Sequence, residues 1–429
     1  MENQNPTLQT KPGKYAWFVV IVLFIVAAIN ILDRTMITTM RLSIKESIPM
    51  TEAQFGLLSS VFLWVYGFMN PIAGFLADKF SRVKVIIISM LVWSVTTLLT
   101  AKVTTFNQLL ITRVVMGLSE ACYLPAALAL IMDYHKGPTQ SRATGLHMCG
   151  MQLGGSLGFL GGYMAMNHEW NYGFKIFGII GIAYTIFALC VLREAHNAPV
   201  GAVAVEEEPE DKEPFSFWEA FKHLFTNKAF VMLAIFWGVV GILGQIEAAW
   251  LPTFYQEQFG ITQSKAGFFA TACLNPAQMV GLLLGGTLAD VWSKKNRYAR
   301  ILIPIIGVCI AAPAVFFASY TTILWVAVGF FMVYGMTRMF VDTNLMPIIV
   351  ASVDKRYRAT GYGLMNMFTT VLGGLGVLIT GMLRDSQIEL RAIFQIVSIS
   401  LLASVIFLIL IKRIVEKKDK EAAASNNNQ

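Results

Sequence analysis

The sequence predicts an all-α integral membrane protein with twelve transmembrane helices in two pseudo-symmetric six-helix bundles. Apolar residues make up 56% of the 429 residues and charged residues 14%, against about 25% charged in a soluble domain. The apolar residues form stretches of about 20, the length that crosses the hydrocarbon core of a bilayer. Barrel strands need only about 10 residues of alternating polarity, so these stretches indicate helices.

Twelve such stretches can be drawn, six on each side of one long polar segment. They lie near residues 15–39, 53–77, 83–102, 106–131, 142–166, 171–192, 229–255, 264–289, 299–319, 322–349, 358–383 and 388–412. The even split gives each half of the chain the same number of spans.

The domain boundaries follow from these spans. We predict a first bundle over 1–192, a cytoplasmic linker over 193–228, a second bundle over 229–412 and a disordered cytoplasmic tail over 413–429. The linker carries an acidic run that is typical of a solvated, flexible segment. Residues 215–225 of the linker show aromatic residues at helical spacing, which predicts an amphipathic helix under the second bundle.

Two motifs recur at nearly the same offset, which indicates a duplicated chain. Residues 74–82 return as 286–294, with five of nine residues identical and an offset of 212. Residues 142–145, Arg-Ala-Thr-Gly, return unchanged as 358–361, at an offset of 216. Repeated halves in an apolar chain are typical of secondary transporters.

The distribution of Lys and Arg predicts the orientation and argues against a nucleic-acid partner. Loops on the side of the N-terminus hold 23 of these residues and the opposite loops hold seven. By the positive-inside rule both termini are cytoplasmic. The net charge of +7 is scattered over short loops and forms no basic face, so the expected surroundings are a lipid bilayer.

No pattern typical of an enzyme or a metal centre is present in the sequence. The five cysteines all lie in apolar stretches, and their odd number argues against a disulfide framework. No Ser/His/Asp, metal-ligand or phosphate-loop arrangement is found. We therefore expect neither an enzyme nor a bound cofactor, and we expect a monomer.

Four charged residues lie well inside predicted spans of the first half, away from the span ends, where a charge costs several kcal/mol and is a functional candidate. Asp33 and Arg34 lie in the first span, and Arg113 and Glu120 in the fourth. Arg113 and Glu120 are two helical turns apart and share a helix face. Asp33 and Arg34 are adjacent and cannot share one, so at least one needs a partner elsewhere. The alternative is that these charges only neutralise one another and hold helices together.

The first motif copy resembles the loop between the second and third helices of the major facilitator superfamily. Gly74, Asp78 and Arg82 match, Ser81 stands where many members have glycine, and Asp290 belongs to the weaker second copy. The resemblance covers the whole chain and implies the major facilitator fold. It also implies that the aspartate pairs at a neighbouring helix end and holds the cytoplasmic side shut. A purely topogenic role is the alternative for Arg82.

The charges of the first and fourth spans resemble the anion:cation symporter branch of that superfamily. That branch includes permeases for hexuronates, aldonates and glucarate. The resemblance implies that Arg34 and Arg113 bind the substrate carboxylate, while Asp33 and Glu120 carry coupling protons. Guanidinium groups suit this role because they bind carboxylates bidentately. Spinster-like lysolipid carriers show a similar charge pattern, so it favours proton coupling more than any one substrate.

The second half offers weaker candidates for substrate contacts, and for each of them a structural interpretation remains as the alternative. Arg338 and Asp342 are four residues apart and could pair within their helix or line the cavity. Gln245 could contact sugar hydroxyls, while Glu247 could be a substrate or gating contact or a solvated interfacial acid. Asn275 precedes a proline in the eighth span, which could open backbone carbonyls to a ligand or only kink the helix.

We therefore expect a proton-coupled symporter of the bacterial inner membrane that imports a small organic anion, with a sugar acid favoured. The proton is the expected coupling ion, and the halves would rock around a central site. A spinster-like carrier of lysolipids or other amphipathic molecules is one alternative. A transporter-like receptor that signals without transport is another.

Overall fold

The protein is helical throughout the part of the chain that the computed structural model describes, which is residues 13–135, 139–194 and 217–426. The first half contains α1 (Lys14–Thr39), α2 (Arg41–Ser47), α3 (Glu52–Lys79), α4 (Arg82–Thr100), α5 (Phe106–Tyr134), α6 (Gln140–Leu157), α7 (Phe159–Asn167) and α8 (Trp170–Val191). The second half contains α9 (Phe217–Thr226), α10 (Lys228–Phe259), α11 (Gln263–Phe268), α12 (Leu274–Ser293), α13 (Ala299–Tyr320), α14 (Leu324–Ser352), α15 (Arg358–Asp385) and α16 (Leu390–Asn426).

Twelve membrane spans are confirmed, but one of them is interrupted. Eleven helical segments of the described chain are long and apolar enough to cross a bilayer. The twelfth span is α6 continued by α7, and the predicted span over 142–166 therefore breaks next to Gly158. A Cβ at Gly158 would lie 2.5 Å from the side chain of Thr35. The break thus occurs where the chain passes unusually close to α1.

The two halves repeat the same packing scheme. In the first half α1 packs on α6, α3 on α5, and α4 on α8. In the second half the equivalent pairs are α10 on α15, α12 on α14, and α13 on α16. Because the contacts themselves repeat, the duplication read from the two short motifs extends through the whole fold.

Glycines of α6 bring it against α1 at backbone distance. A Cβ at Gly150 would lie 2.4 Å from the carbonyl oxygen of Phe24, and one at Gly154 would lie 2.1 Å from that of Ala28. Small residues are the usual means of close helix approach in a membrane. This contact fixes the side of α1 that remains available to the centre of the molecule.

The halves meet at one face of the molecule and separate toward the other. We call the face where α1 begins the termini face, and the face that carries α2 the opposite face. Hydrogen bonds between the halves join α3 to α15 at Ser60 and Trp64, and α2 to α11 at Ser43, all toward the opposite face or mid-membrane. The described structure is therefore closed at the opposite face.

Toward the termini face the same helices stand apart. Gly74 of α3, Gly145 of α6, Gly286 of α12 and Gly363 of α15 have open space where a Cβ would be, with no atom within 4 Å. Deeper in the membrane the same helices meet in pairs, α3 with α15 through the hydrogen bonds above and α6 with α12, where a Cβ at Gly155 would lie 2.6 Å from the side chain of Asn275. The described contacts between the halves are therefore concentrated toward the opposite face, which indicates that the cavity opens on the side of the chain termini.

Two predictions for the polar segments are tested in part. The predicted amphipathic helix is α9, whose Ala220 and Leu224 are buried while Trp218 is 71% exposed. The acidic run of the linker lies outside the described residues.

The prediction of a disordered tail over 413–429 is wrong for most of its length, because α16 continues to Asn426. Lys, Glu and Ala, which dominate this stretch, are strong helix formers.

Candidate substrate-binding cavity

A cavity of about 260 Å³ lies between the two halves. Pockets for drug-sized ligands hold about 300–1,000 Å³, so this one suits a small molecule. Its charged and amide side chains come from both halves. They are Arg34, Arg113, Gln245, Glu247, Asn275, Gln278 and Arg338. The cavity is therefore unusually rich in positive charge for the interior of a membrane protein.

Arg34 faces the cavity and is held from behind by an acid. Its Nη2 donates a hydrogen bond to Oε2 of Glu120 at 3.1 Å. The guanidinium carbon also lies 4.6 Å from the ring centroid of Phe62 and 4.7 Å from that of Tyr66. Its Nε has no hydrogen-bond partner among the described residues. Arg34 thus keeps donor capacity for a ligand while Glu120 balances its charge.

Asp33 points away from the cavity, although the sequence resemblance grouped it with Arg34. The side chain is fully buried and accepts a hydrogen bond from Oγ1 of Thr97 on α4 at 3.1 Å. Its other oxygen, Oδ1, has no hydrogen-bond partner in the described chain. Adjacent residues of a helix diverge by about 100°, which explains why only one of the pair lines the cavity. A buried carboxylate with an unpartnered oxygen is costly when charged.

Arg113 is a buried charge of the site with two unpartnered nitrogens. It lines the cavity at 2% exposure, and its Nε and Nη2 have no hydrogen-bond partner in the described chain. No ion pair within 4.0 Å is formed by Arg113 with any described residue, although the charges of Glu120 and Asp33 act on it from further away. A buried guanidinium without partners is expected to bind an anion when one is available.

The amide side chains of the second half lie at a helix irregularity. Asn275 Nδ2 donates to the carbonyl of Thr271 at 2.9 Å, inside the π-helical turn Phe269–Cys273 that separates α11 from α12. The discontinuity of the eighth span therefore precedes Asn275, while α12 continues through Pro276. Gln245 lines the cavity from α10. Its side chain packs directly against Gly373 of α15, where a Cβ would lie 2.4 Å from the Gln245 Cγ.

Arg338 is the third arginine of the cavity and enters it from the second half. Its Nη2 lies 4.0 Å from Oδ2 of Asp342, so the ion pair within α14 is loose. Gly244 makes room for the guanidinium, since a Cβ there would lie 2.9 Å from Nη2. Arg338 therefore both pairs with Asp342 and lines the cavity, which were the two alternatives from the sequence.

Glu247 lies at the cavity wall and not at a solvated interface. It is 5% exposed and lines the cavity from α10. Among the described residues it takes part in no hydrogen bond and no ion pair within 4.0 Å. The interpretation of Glu247 as a solvated interfacial acid is wrong, because α10 extends three turns beyond it to Phe259.

A charged network closes the opposite face between the halves. Arg41 pairs with Glu52 inside the first half and reaches Glu257 of the second half at 3.9 Å. Arg384 pairs with the same Glu257 at 2.7 Å. Asp385 accepts two backbone hydrogen bonds at the start of α3, at 2.8 and 3.0 Å. The sequence alone does not reveal this network, since these residues lie far apart in the chain and their types are those of ordinary loop charges.

The motif ion pairs that the structure describes at the termini face lie within single halves. Arg82, at the start of α4, pairs with Asp133 near the end of α5. Asp290 pairs with Arg300 at 2.9 Å, across the α12–α13 connection. The side chain of Asp78 lies outside the described residues, and Gly74 borders open space. At this face, the described motif residues form no latch between the halves.

The fold and the cavity together define a multi-pass membrane transporter with two duplicated halves. The chain belongs to the Major Facilitator Superfamily, whose family profile matches residues 23–377. Members of this superfamily are transporters and not enzymes, in agreement with the sequence prediction.

Curated relatives fall into two groups. The Probable galactarate/D-glucarate transporter GudP of Bacillus subtilis (strain 168) is 23% identical over 440 residues, covering 96% of each chain. The Probable L-galactonate transporter of Escherichia coli (strain K12) is 24% identical over 387 residues, covering 86% of this chain and 83% of the relative. Protein spinster homolog 1 of Xenopus tropicalis is 24% identical over 378 residues, covering 83% of this chain and 70% of the relative.

A solved structure supports the fold. It is a bacterial homologue of the human lysosomal transporter spinster, in an inward-facing and unoccupied conformation, with a TM-score of 0.74 and 23% sequence identity. The match covers 94% of this chain and 97% of that chain. At this identity the similarity shows the fold alone, and the substrate must be argued from the cavity.

Proposed function

We propose that this protein is a proton-coupled symporter that imports a small organic anion, with a sugar acid as its substrate class, across the bacterial inner membrane. The observation that carries the proposal is Arg113, a buried guanidinium that lines the cavity with two unpartnered nitrogens. A carboxylate satisfies such a group with paired hydrogen bonds. In this orientation both termini are cytoplasmic, as the positive-inside rule predicts, and the cavity opens to the cytoplasm.

The Arg34–Glu120 pair supports the coupling of this anion to a proton. While Glu120 is charged, it holds one guanidinium nitrogen of Arg34 at 3.1 Å. Protonation of Glu120 weakens that bond and leaves Arg34 free to bind the substrate carboxylate together with Arg113. Conversely, a bound substrate carboxylate replaces Glu120 as the negatively charged partner of Arg34. Protonation of Glu120 is then more favourable. Proton and anion then bind cooperatively, which is the requirement for symport.

The second proton carrier of the proposal is Asp33. Its fully buried carboxyl group has one oxygen bonded to Thr97 and one without a partner. The protonated form is favoured by desolvation at such a site. Asp33 lies behind the cavity, so in this proposal it holds a proton and does not touch the substrate.

The size and polarity of the cavity favour a sugar acid over a lipid. A volume of about 260 Å³ lined by amides, hydroxyls and arginines can hydrogen-bond a polyhydroxylated anion. The names of the relatives from Bacillus subtilis and Escherichia coli point to the same substrate class. Similarity to spinster homologues keeps a lysolipid as the second candidate.

Uptake into liposomes tests the proposal. The purified protein is reconstituted, a proton gradient is imposed, and uptake of glucuronate, galactonate, galactarate, sialic acid and a lysolipid is recorded. We expect accumulation of at least one sugar acid that collapses when the gradient is dissipated. Movement of the lysolipid without sugar-acid uptake would contradict the proposed substrate, and gradient-independent uptake would contradict the proton coupling.

A further inference from the structure

Glu247 occupies in the second half the position that Asp33 occupies in the first. Each acid lies nineteen residues after the first residue of its helix, Lys14 for α1 and Lys228 for α10. The helices themselves are equivalent, because they pack on α6 and α15 in the same way. The duplication thus places an acid at mid-membrane in both halves.

The surroundings of Glu247 offer it little compensation when it is charged. Arg338 of α14 acts on it only from beyond ion-pair distance. Tyr255, on the same helix, and Tyr334, on α14, lie within electrostatic range of Glu247, but their buried hydroxyl groups have no hydrogen-bond partner in the described chain and so do not bond to it. Across the cavity the nearest lining charges are Arg34 and Arg113.

Other neighbouring elements add no titratable group to the cavity wall beside Glu247. Helix α15 contributes only Val377 to the described lining, and α16 contributes none. Asp342 lies further along α14 and is the ion-pair partner of Arg338. Cys273 of the π-helical turn interacts with Tyr255 and does not line the cavity.

The charge balance of the cavity is uneven between the halves. In the first half, Asp33 and Glu120 lie behind the lining and balance the two arginines Arg34 and Arg113. In the second half, Glu247 in the lining and Asp342 behind it share the single arginine Arg338, which leaves one excess negative charge when all of these groups are charged. A substrate anion that enters the cavity adds to this excess. Its entry is therefore opposed by Glu247 in the charged form and favoured by Glu247 in the protonated form.

We propose that Glu247 is a second-half proton carrier, so that each imported anion is accompanied by a proton on this side chain in addition to the protons that Glu120 and Asp33 carry in the first half. The inference rests on the proposed function and adds one proton to the number transported with each anion. The second half then takes part in energy coupling and does not only provide amides and Arg338 for substrate binding.

Accumulation measurements with Glu247→Gln test this inference. With a pH difference of about one unit and the membrane potential clamped at zero, each coupled proton adds about tenfold to the accumulation ratio. We expect Glu247→Gln to accumulate substrate about tenfold less than wild type, while exchange of external for internal substrate continues. The exposed loop acid Glu169 provides the control, and Glu169→Gln should accumulate as wild type does. Wild-type accumulation by Glu247→Gln would overturn the inference.

Two further measurements separate titration from packing and from the proposed function. Glu247→Asp keeps an ionisable group and should retain the wild-type ratio, whereas an equal loss in this variant would overturn the inference. Infrared difference spectra during a pH change need no substrate. They should show one protonated-carboxyl band that Glu247→Gln lacks, and a band unchanged in the variant would overturn the inference. If the wild type transports no anion, the proposed function fails and the infrared result still decides whether Glu247 titrates.

Discussion

Arg34 and Glu120 join α1 to α5 across the first half through a hydrogen bond of 3.1 Å. The arginine is 28% exposed to the cavity at its side chain, whereas the side chain of the glutamate is fully buried. The pair is therefore asymmetric, because a ligand in the cavity can reach the cation but not the anion. Any anion that binds Arg34 competes with Glu120 from the opposite side of the guanidinium.

This competition predicts the behaviour of Glu120→Gln. The neutral amide mimics the protonated acid, so substrate exchange should continue while proton-driven accumulation falls at least tenfold. Substrate binding should also lose the part of its pH dependence that comes from Glu120, while any part carried by Asp33 and Glu247 remains. Parallel assays of counterflow and gradient-driven uptake in liposomes check this. Accumulation at the wild-type level would contradict the role of Glu120.

Arg113→Ala should remove most of the anion affinity. Hydrogen bonds to charged groups contribute about 1.5–3 kcal/mol, which corresponds to a loss of roughly tenfold to a hundredfold in apparent affinity. Arg113→Lys keeps the charge but loses the bidentate geometry and should be intermediate. Lys102→Ala removes an exposed charge between α4 and α5 and is the control. Equal KM values for Arg113→Ala and wild type would rule out the anion site.

Asp385→Ala should weaken the closure of the opposite face. The substitution leaves two backbone N–H groups at the start of α3 without their acceptor. In a Ser59→Cys background with the native cysteines replaced, we expect several-fold faster labelling of the cavity by an impermeant maleimide from the opposite face. The matched control is Asp354→Ala, which removes a capping aspartate at the termini face. Unchanged labelling would show that Asp385 does not hold the closure.

Gly154→Ala should destabilise the first half. The new methyl group would lie 2.1 Å from the carbonyl oxygen of Ala28, and overpacking of this kind costs about 1–3 kcal/mol. Gly145→Ala on the same helix meets no atom within 4 Å and serves as the control. Thermal unfolding in detergent should show a lower midpoint for Gly154→Ala alone. Equal midpoints would mean that α1 and α6 are less tightly packed than the structure indicates.

The sequence predicts the spans and the repeat well because both depend on local composition. A run of about 20 apolar residues identifies a helix wherever it packs. Arg113 and Glu120 could also be assigned to one helix face, since their spacing of seven is a property of the helix itself. These features need no knowledge of the neighbouring helices.

Features that depend on how helices are rotated and paired could not be predicted. Whether Asp33 or Arg34 faces the cavity is decided by the contact of α6 with α1, which involves glycines more than a hundred residues away. The burial of Glu247 depends on α14 in the same way. The network of Arg41, Glu257 and Arg384 joins residues of α2, α10 and α15, which are distant in the chain.

The charged closure of the opposite face has a consequence for the medium around the protein. Exposed ion pairs are screened by salt, with a Debye length of about 8 Å at physiological ionic strength. The pair of Arg384 and Glu257 is partly exposed and contacts the Arg41 cluster across the halves, whereas the described ion pairs of the termini face, Arg82 with Asp133 and Asp290 with Arg300, each stay within one half. Higher ionic strength at the opposite face is therefore expected to weaken the closure there, even though salt is neither substrate nor coupling ion.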